Sequence, residues 1–334
     1  MQTFIEKMPK AELHVHLEGT LEPEMSFALA AKNGVSLKHD TPESLIAAYD
    51  FVDLSSFLAI YYQAMHVLVD EDDFYQLCYA YLKKASSQNT VYAELFFDPQ
   101  AHTSRGVSFD TVISGIHKAQ LDAEKDLGIK SQLILCFLRD MSAESAMEHL
   151  TLAAPYLDWL VGVGLDSDER NNPPIKFAEV FAKAKRMGLK LTMHCDVNQL
   201  NTLDHIEQCV NLIEVDRIDH GVNSLESKML CELIAQKQLG LTVCPVSNQF
   251  VVQSLTVNEI KSMLEQDMLV TINSDDPAYF RAYLNENLYA LQEVGNFNKA
   301  EIVTLVGNAF KVAWIDDAQK ADYLTQLNHY VQQH

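Results

Sequence analysis

Short apolar runs alternate along this chain with segments whose apolar residues recur at helical spacing. Eight runs read as strands: Ala11–His16, Val91–Phe97, Gln132–Leu138, Trp159–Leu165, Leu189–His194, Arg217–His220, Leu239–Cys244 and Leu269–Ser274. Most of the segments between them can hold the helix that a parallel crossover requires. In one of these, Phe177, Val180, Phe181 and Ala184 share a helical face, and Gly188 ends the helix before the next strand. Eight such units predict an α/β fold, a (β/α)8 TIM barrel.

One connection does not fit the pattern. The stretch from about residue 20 to residue 90 is too long for a single crossover helix. Leu54, Phe57, Leu58, Tyr61, Met65 and Leu68 fall on one helical face, and Asp70-Glu71-Asp72-Asp73 interrupts the run and caps a new helix from Phe74 onward. This stretch is expected to form a helical cap beside the barrel mouth, inserted after the first strand. A separate helical domain is the alternative, but no linker flanks the stretch, so residues 1–334 are read as one domain. The tail after about Asn298 predicts two further helices on the outside.

Composition narrows the class. The chain has 334 residues, 48% of them hydrophobic, ample for a large core. No apolar run reaches the length of a membrane span, and the N-terminus carries no signal-peptide core. A cytoplasmic protein is expected. The six cysteines, Cys78, Cys136, Cys195, Cys209, Cys231 and Cys244, show no Cys-x-x-Cys spacing, and most sit in apolar runs, as buried free thiols do. A reducing compartment suits them. The net charge of −21 argues against nucleic acid and acidic membrane surfaces as partners and says nothing specific about a small substrate.

The chemistry gathers at predicted strand ends, where barrels of this kind carry their active sites. His14 and His16 end the first strand, His194 the fifth and His220 the sixth, while Asp275 and Asp276 follow the eighth. Alternation puts His14 and His16 on one face of their strand. An isolated His-x-His is commonly just two polar residues, but here four strand ends converge on metal-ligand chemistry. Three histidines and one aspartate give zinc enough protein ligands and leave a position for water, whose pKa the metal lowers toward neutrality. His220 is then free to handle protons, and Asp276 to hydrogen-bond a substrate. Residue spacing alone stops at a mononuclear metal hydrolase.

Longer motifs carry a resemblance. These are Met8-Pro9-Lys10-Ala11-Glu12-Leu13-His14-Val15-His16-Leu17-Glu18-Gly19-Thr20, Arg217-Ile218-Asp219-His220-Gly221, Thr242-Val243-Cys244-Pro245-Val246-Ser247-Asn248 and Asn273-Ser274-Asp275-Asp276-Pro277-Ala278-Tyr279-Phe280. Over nearly its whole length the chain resembles the adenosine/adenine deaminase family of metal-dependent amidohydrolases. The resemblance implies one Zn2+ per chain on His14, His16, His194 and Asp275, with His220 assisting the nucleophile and Asp276 contacting a purine ring. Phe96-Phe97-Asp98-Pro99-Gln100 and Glu18 are similar to the adenine deaminase branch. Adenosine deaminases usually carry Asp at the position of Glu18 and use it near the ribose. Glu18 is therefore expected to occupy part of that space; the alternative is that it braces the loop after the first strand.

One motif departs from the family. Where the family has His-Ala-Gly-Glu, with the glutamate as proton donor to the purine ring, this chain reads His194-Cys195-Asp196-Val197. Asp196 is the nearest acid and becomes the expected donor. The implied activity is zinc-dependent hydrolytic deamination of adenine or a related aminopurine. Adenosine and N6-substituted adenine are neighbouring alternatives, and a purine-binding protein without turnover is the alternative of another class.

Overall fold

A computed structural model describes residues 1–195 and 200–334. Its strands are β1 (Lys10–His16), β2 (Thr90–Phe97), β3 (Lys130–Leu138), β4 (Leu160–Asp166), β5 (Lys190–Cys195), β6 (Arg217–His220), β7 (Gly240–Val243) and β8 (Leu269–Ile272). They form one sheet in the order β1 to β8, every pair parallel. The chain just beyond β8 closes it onto β1. Asp275 N donates to His14 O at 3.1 Å, and His16 N donates to Asp275 O at 2.9 Å. The fold is the expected eight-stranded TIM-like barrel, and all eight predicted runs are strands. Helices cover the outer face, so strands such as Leu133–Leu138 are buried on both sides and read as unbroken apolar runs.

Local chemistry sets the helix ends. Ser108 caps the helix Phe109–Leu127 by accepting from Thr111 N, and Gly128, at φ 72°, ends it in the left-handed region. The helix Glu71–Ser87 packs along it. This helix begins at Glu71 rather than at Phe74, because the Asp70 side chain accepts from Asp73 N. Three acids then lie in the first turn, where the helix dipole favours them. It belongs to the ring of outer helices. The helices before it are Pro23–Asn33, Pro42–Ile46 and Leu54–Ala64. The last buries Phe57 and Tyr61 and carries Leu54 and Leu58 to the edge of a cavity at the C-terminal end of the barrel. The tail forms helices Lys299–Val312 and Asp317–Gln333. Among the described residues, no helix is long and apolar enough to cross a membrane.

The barrel interior is layered. Phe96, Ile134 and Cys136 form a small apolar cluster of their own, next to Trp314. Gly162 on β4 leaves room for that indole; a Cβ there would overlap both Trp314 and the Lys190 carbonyl. Below this layer, Arg217 on β6 pairs across the barrel with Glu94 on β2, both fully buried. Its guanidinium also donates to Leu13 O and stacks 4.1 Å from the Trp314 ring centre. Glu94 Oε1 accepts from Tyr92 Oη and Trp314 N.

Removing one charge of such a pair strands the other in a dry interior, at a cost of about 3–5 kcal/mol. Glu94→Gln should therefore lower the thermal unfolding midpoint by about 5–10 °C in scanning calorimetry. A midpoint shifted by less than about 1 °C would show that Arg217 is not held by this pair.

Candidate active site

The four predicted metal ligands converge at the C-terminal end of the barrel. His14 Nε2 lies 3.1 Å and His16 Nε2 3.4 Å from Asp275 Oδ1, and His16 Nε2 lies 3.1 Å from His194 Nε2. Donor atoms of all four residues lie within 4.8 Å of one another, and all four residues are buried. Such spacings are those of ligands drawn around one ion, since Zn–N bonds of about 2.0–2.1 Å set tetrahedral edges only slightly longer than 3 Å. The cluster thus fits a metal ion.

The far nitrogens are held in place. His14 Nδ1 donates to Thr242 Oγ1 at 2.8 Å, and Thr242 Oγ1 donates to Asp219 Oδ1 at 3.0 Å. His194 Nδ1 donates to Leu165 O at 3.1 Å and faces Asp219 Oδ2 at 3.5 Å. His16 Nδ1 faces Asp166 Oδ2 at 3.4 Å. In each ring Nε2 is left as the lone-pair donor that a metal needs. Ser247 Oγ donates to Asp275 Oδ2 at 2.6 Å, which leaves Oδ1 toward the histidines. His220 Nε2 stands 3.7 Å from Asp275 Oδ2. Both His220 (φ 60°) and Asp275 (φ 63°) adopt the left-handed backbone, a strain that surrounding structure must hold at a working site.

A cavity opens from the cluster. His16, His194, His220, Asp275 and Asp276 line its floor; Leu54, Phe57, Leu58 and Phe280 form an apolar wall. Gly19 lets the turn after β1 pass against Asp276, because a Cβ there would overlap Asp276 Oδ1.

The adenosine deaminase family profile matches residues 9–330. The chain belongs to the adenosine deaminase family. It is 49% identical over 331 residues to an uncharacterised deaminase of Schizosaccharomyces pombe, covering 99% of this chain and 98% of that one. It is also 49% identical to an adenine deaminase of Marinomonas sp., with 98% and 99% covered. The crystal structure of an adenine deaminase from Arthrobacter aurescens superposes with a TM-score of 0.94 at 39% identity, covering 97% of this chain and 99% of that chain.

Family membership makes the electrostatics of the cavity informative. Burial pushes His14 down to about 4 and His194 well below its usual range, so both imidazoles are neutral, as metal ligands must be. Burial pushes the Asp275 carboxyl up, but the neighbouring His14, His220 and His16 outweigh it and hold it well below the usual carboxylate range. Asp276 goes the other way: burial, then the charge of Asp275, raises it well above that range. Burial likewise raises Asp98 well above its usual value and Asp166 to about 6.

Glu18 is buried beneath the cavity and does not line it. Its Oε1 accepts from Asp98 N at 3.1 Å and from His102 Nε2 at 2.8 Å. His102, which motif reasoning left aside, sits in the short helix Pro99–Thr103. His149 is buried and bonded to Thr103 and Ser145. Asp196, the expected proton donor, lies outside the described residues. Sequence reasoning passed over Asp98 at the end of β2, Asp166 at the end of β4 and Glu169 three residues on, all of which line the cavity. The strand-end rule that selected the histidines also selects Asp98 and Asp166. Cys244, read as a buried thiol, is buried, but its Sγ also falls within 4.8 Å of donor atoms of His14, His220 and Asp275.

The Thr242 contact is open to test. Thr242→Val removes the acceptor that orients His14 while keeping the side-chain shape. Metal affinity should fall by roughly 10–100-fold, measured by competition with a chromogenic chelator. Unchanged affinity would mean that His14 is oriented by packing alone.

Proposed function

We propose that this chain is a zinc-dependent adenine deaminase, converting adenine and water to hypoxanthine and ammonia. The observation that carries the reading is the convergence of His14, His16, His194 and Asp275 beside a cavity lined by further carboxylates. Three imidazoles and one carboxylate suit zinc among the common divalent ions. Zinc bound there supplies the Lewis acidity that makes water a nucleophile at neutral pH. His220, at the cavity floor, takes the proton that the attacking water gives up. Asp276 binds the five-membered ring of the purine. Asp196 protonates the purine ring nitrogen as the nucleophile adds, in place of the family's glutamate, and the proton taken by His220 passes to the amino group that leaves as ammonia. Glu18 supports the site from beneath by holding the Asp98 backbone and His102.

The helices before Glu71 act as a cap on a single domain, since Leu54, Phe57 and Leu58 supply one wall of the same cavity. A cytoplasmic setting accords with six buried cysteines that form no disulfide.

Ammonia release from adenine, adenosine and N6-methyladenine tests the substrate. Adenine should be used with kcat/KM at least roughly tenfold above adenosine, the scale on which pocket shape discriminates. Equal rates, or a preference for adenosine, would reject adenine as the substrate. Metal analysis should find one zinc per chain, and almost none in a variant carrying both His14→Ala and His16→Ala. Full zinc in that variant would reject the ligand set. Asp196→Asn should lower kcat by roughly 10²-fold or more with zinc content unchanged. A loss confined to metal binding would make Asp196 a partner of His194 instead.

A further inference from the structure

A free purine base differs from its nucleoside at one atom. The imidazole-ring nitrogen that carries the sugar in a nucleoside carries a hydrogen in the base. A site that prefers the free base therefore gains most from a buried acceptor placed for that N–H. A nucleoside, or any N9-alkyl purine, leaves such an acceptor unpaired.

The cavity holds few candidates. Asp275 belongs to the metal cluster, and its Oδ2 already accepts from Ser247. Asp166 faces His16 Nδ1 and the Asp98 carboxyl, and Glu169 pairs with Arg139. Asp276 and Asp98 remain on the two strands that flank β1, Asp276 just after β8 and Asp98 just after β2. Both are buried and both line the cavity. Asp98 is 1% exposed, and its Oδ1 finds no hydrogen-bond partner among the described residues.

Asp98 is also held rigidly. Its backbone N–H donates to Glu18 Oε1, Pro99 follows it, and the same Glu18 oxygen accepts from His102 one turn further on. Arg105 in turn contacts His102 Nδ1 and Leu68 O. The carboxyl is thus pinned beside the metal cluster, with a donor atom within 4.8 Å of those of His16 and Asp166. A buried oxygen without a partner, as Asp98 Oδ1 is, is costly to leave empty and specific for the donor that fills it.

Resting on the adenine deaminase reading above, we propose that Asp98 is the specificity residue for the free base: its carboxyl accepts the N9–H of adenine, while Asp276 takes the adjacent N7 side of the same ring. A carboxyl oxygen accepts this hydrogen whether or not the group carries a proton. Glu18 is the positioning residue that holds Asp98 in place.

The test compares adenine with 9-methyladenine, which lacks the N–H yet adds only a methyl group. In the parent protein 9-methyladenine should be used with kcat/KM at least roughly 10²-fold below adenine. Asp98→Ala removes the acceptor and makes room for the methyl. It should lower kcat/KM on adenine by roughly 10²-fold and leave 9-methyladenine within about threefold, so that the ratio collapses. Asp98→Asn keeps one acceptor oxygen in the same shape and should fall between parent and Ala; it also serves where the Ala variant does not fold. Zinc content is measured in each. Equal losses on both substrates at unchanged zinc would mean a merely structural role and would overturn the proposal. A parent protein that releases ammonia from adenine but treats the two bases alike overturns it too, and leaves the deaminase reading standing. No ammonia from adenine in the parent removes both.

Discussion

The backbone bridge that closes the barrel is made by the same residues whose side chains gather in the cluster that fits a metal ion. Asp275 N donates to His14 O, and His16 N donates to Asp275 O. The His14 and His16 imidazoles and the Asp275 carboxylate then meet within hydrogen-bonding distance on the inside. Closure and ligand geometry therefore cannot vary independently. A shift in register between the end of β8 and β1 would open the sheet and scatter three of the four ligands. The left-handed backbone at Asp275 fits this arrangement, since a residue that bridges to β1 and also turns its carboxylate inward has little conformational choice.

Charge is sorted along the barrel axis. At the N-terminal end the interior holds a compensated pair, Arg217 with Glu94, sealed by Trp314. At the C-terminal end it holds Asp98, Asp166, Asp275 and Asp276 around His16, His194 and His220. Burying several carboxylates together is unfavourable without a cation or a proton to compensate them. Two of them, Asp98 and Asp276, are accordingly pushed well above the ordinary carboxylate range, while Asp275 falls well below it beside the histidines. The arrangement suits one divalent ion on the histidine side. On the other side it suits a ligand that presents ring N–H donors and ring nitrogen acceptors, as a purine does.

The fold was legible because parallel strands covered on both faces are apolar throughout, and each of the eight runs ended near a turn residue or a polar ligand. The residues of the buried cluster were legible for the same reason: a histidine or aspartate at the end of an apolar strand stands out. Asp98 and Asp166 occupy equivalent places and did not stand out, since a single acid before a proline or a serine reads as an ordinary helix cap. The burial of His102 and His149 was hidden as well. Each lies on a helix, and which face of a helix meets a loop from another unit is decided by tertiary packing rather than by local pattern. The start of the helix at Glu71 was missed by three residues because Asp70 caps it and the three acids that follow form its first turn.

Glu18 shows how a one-methylene difference can act at a distance. Its carboxylate does not reach the cavity; it reaches His102 and the backbone of Asp98. Both belong to the turn and short helix after β2, one strand away. An aspartate on the same backbone would end one methylene short of these two donors, leaving His102 and the Asp98 N–H without their acceptor in a buried setting. It would then be free to turn toward the cavity, and Asp98 would be free to move. The contrast between Asp and Glu at this position is therefore better understood as a choice between two supports than as a change in the volume of the pocket. The longer side chain fixes the turn after β2, and the shorter one becomes available as a contact itself. In this chain the burial of Glu18 and its two bonds to the β2 turn place it with the first kind.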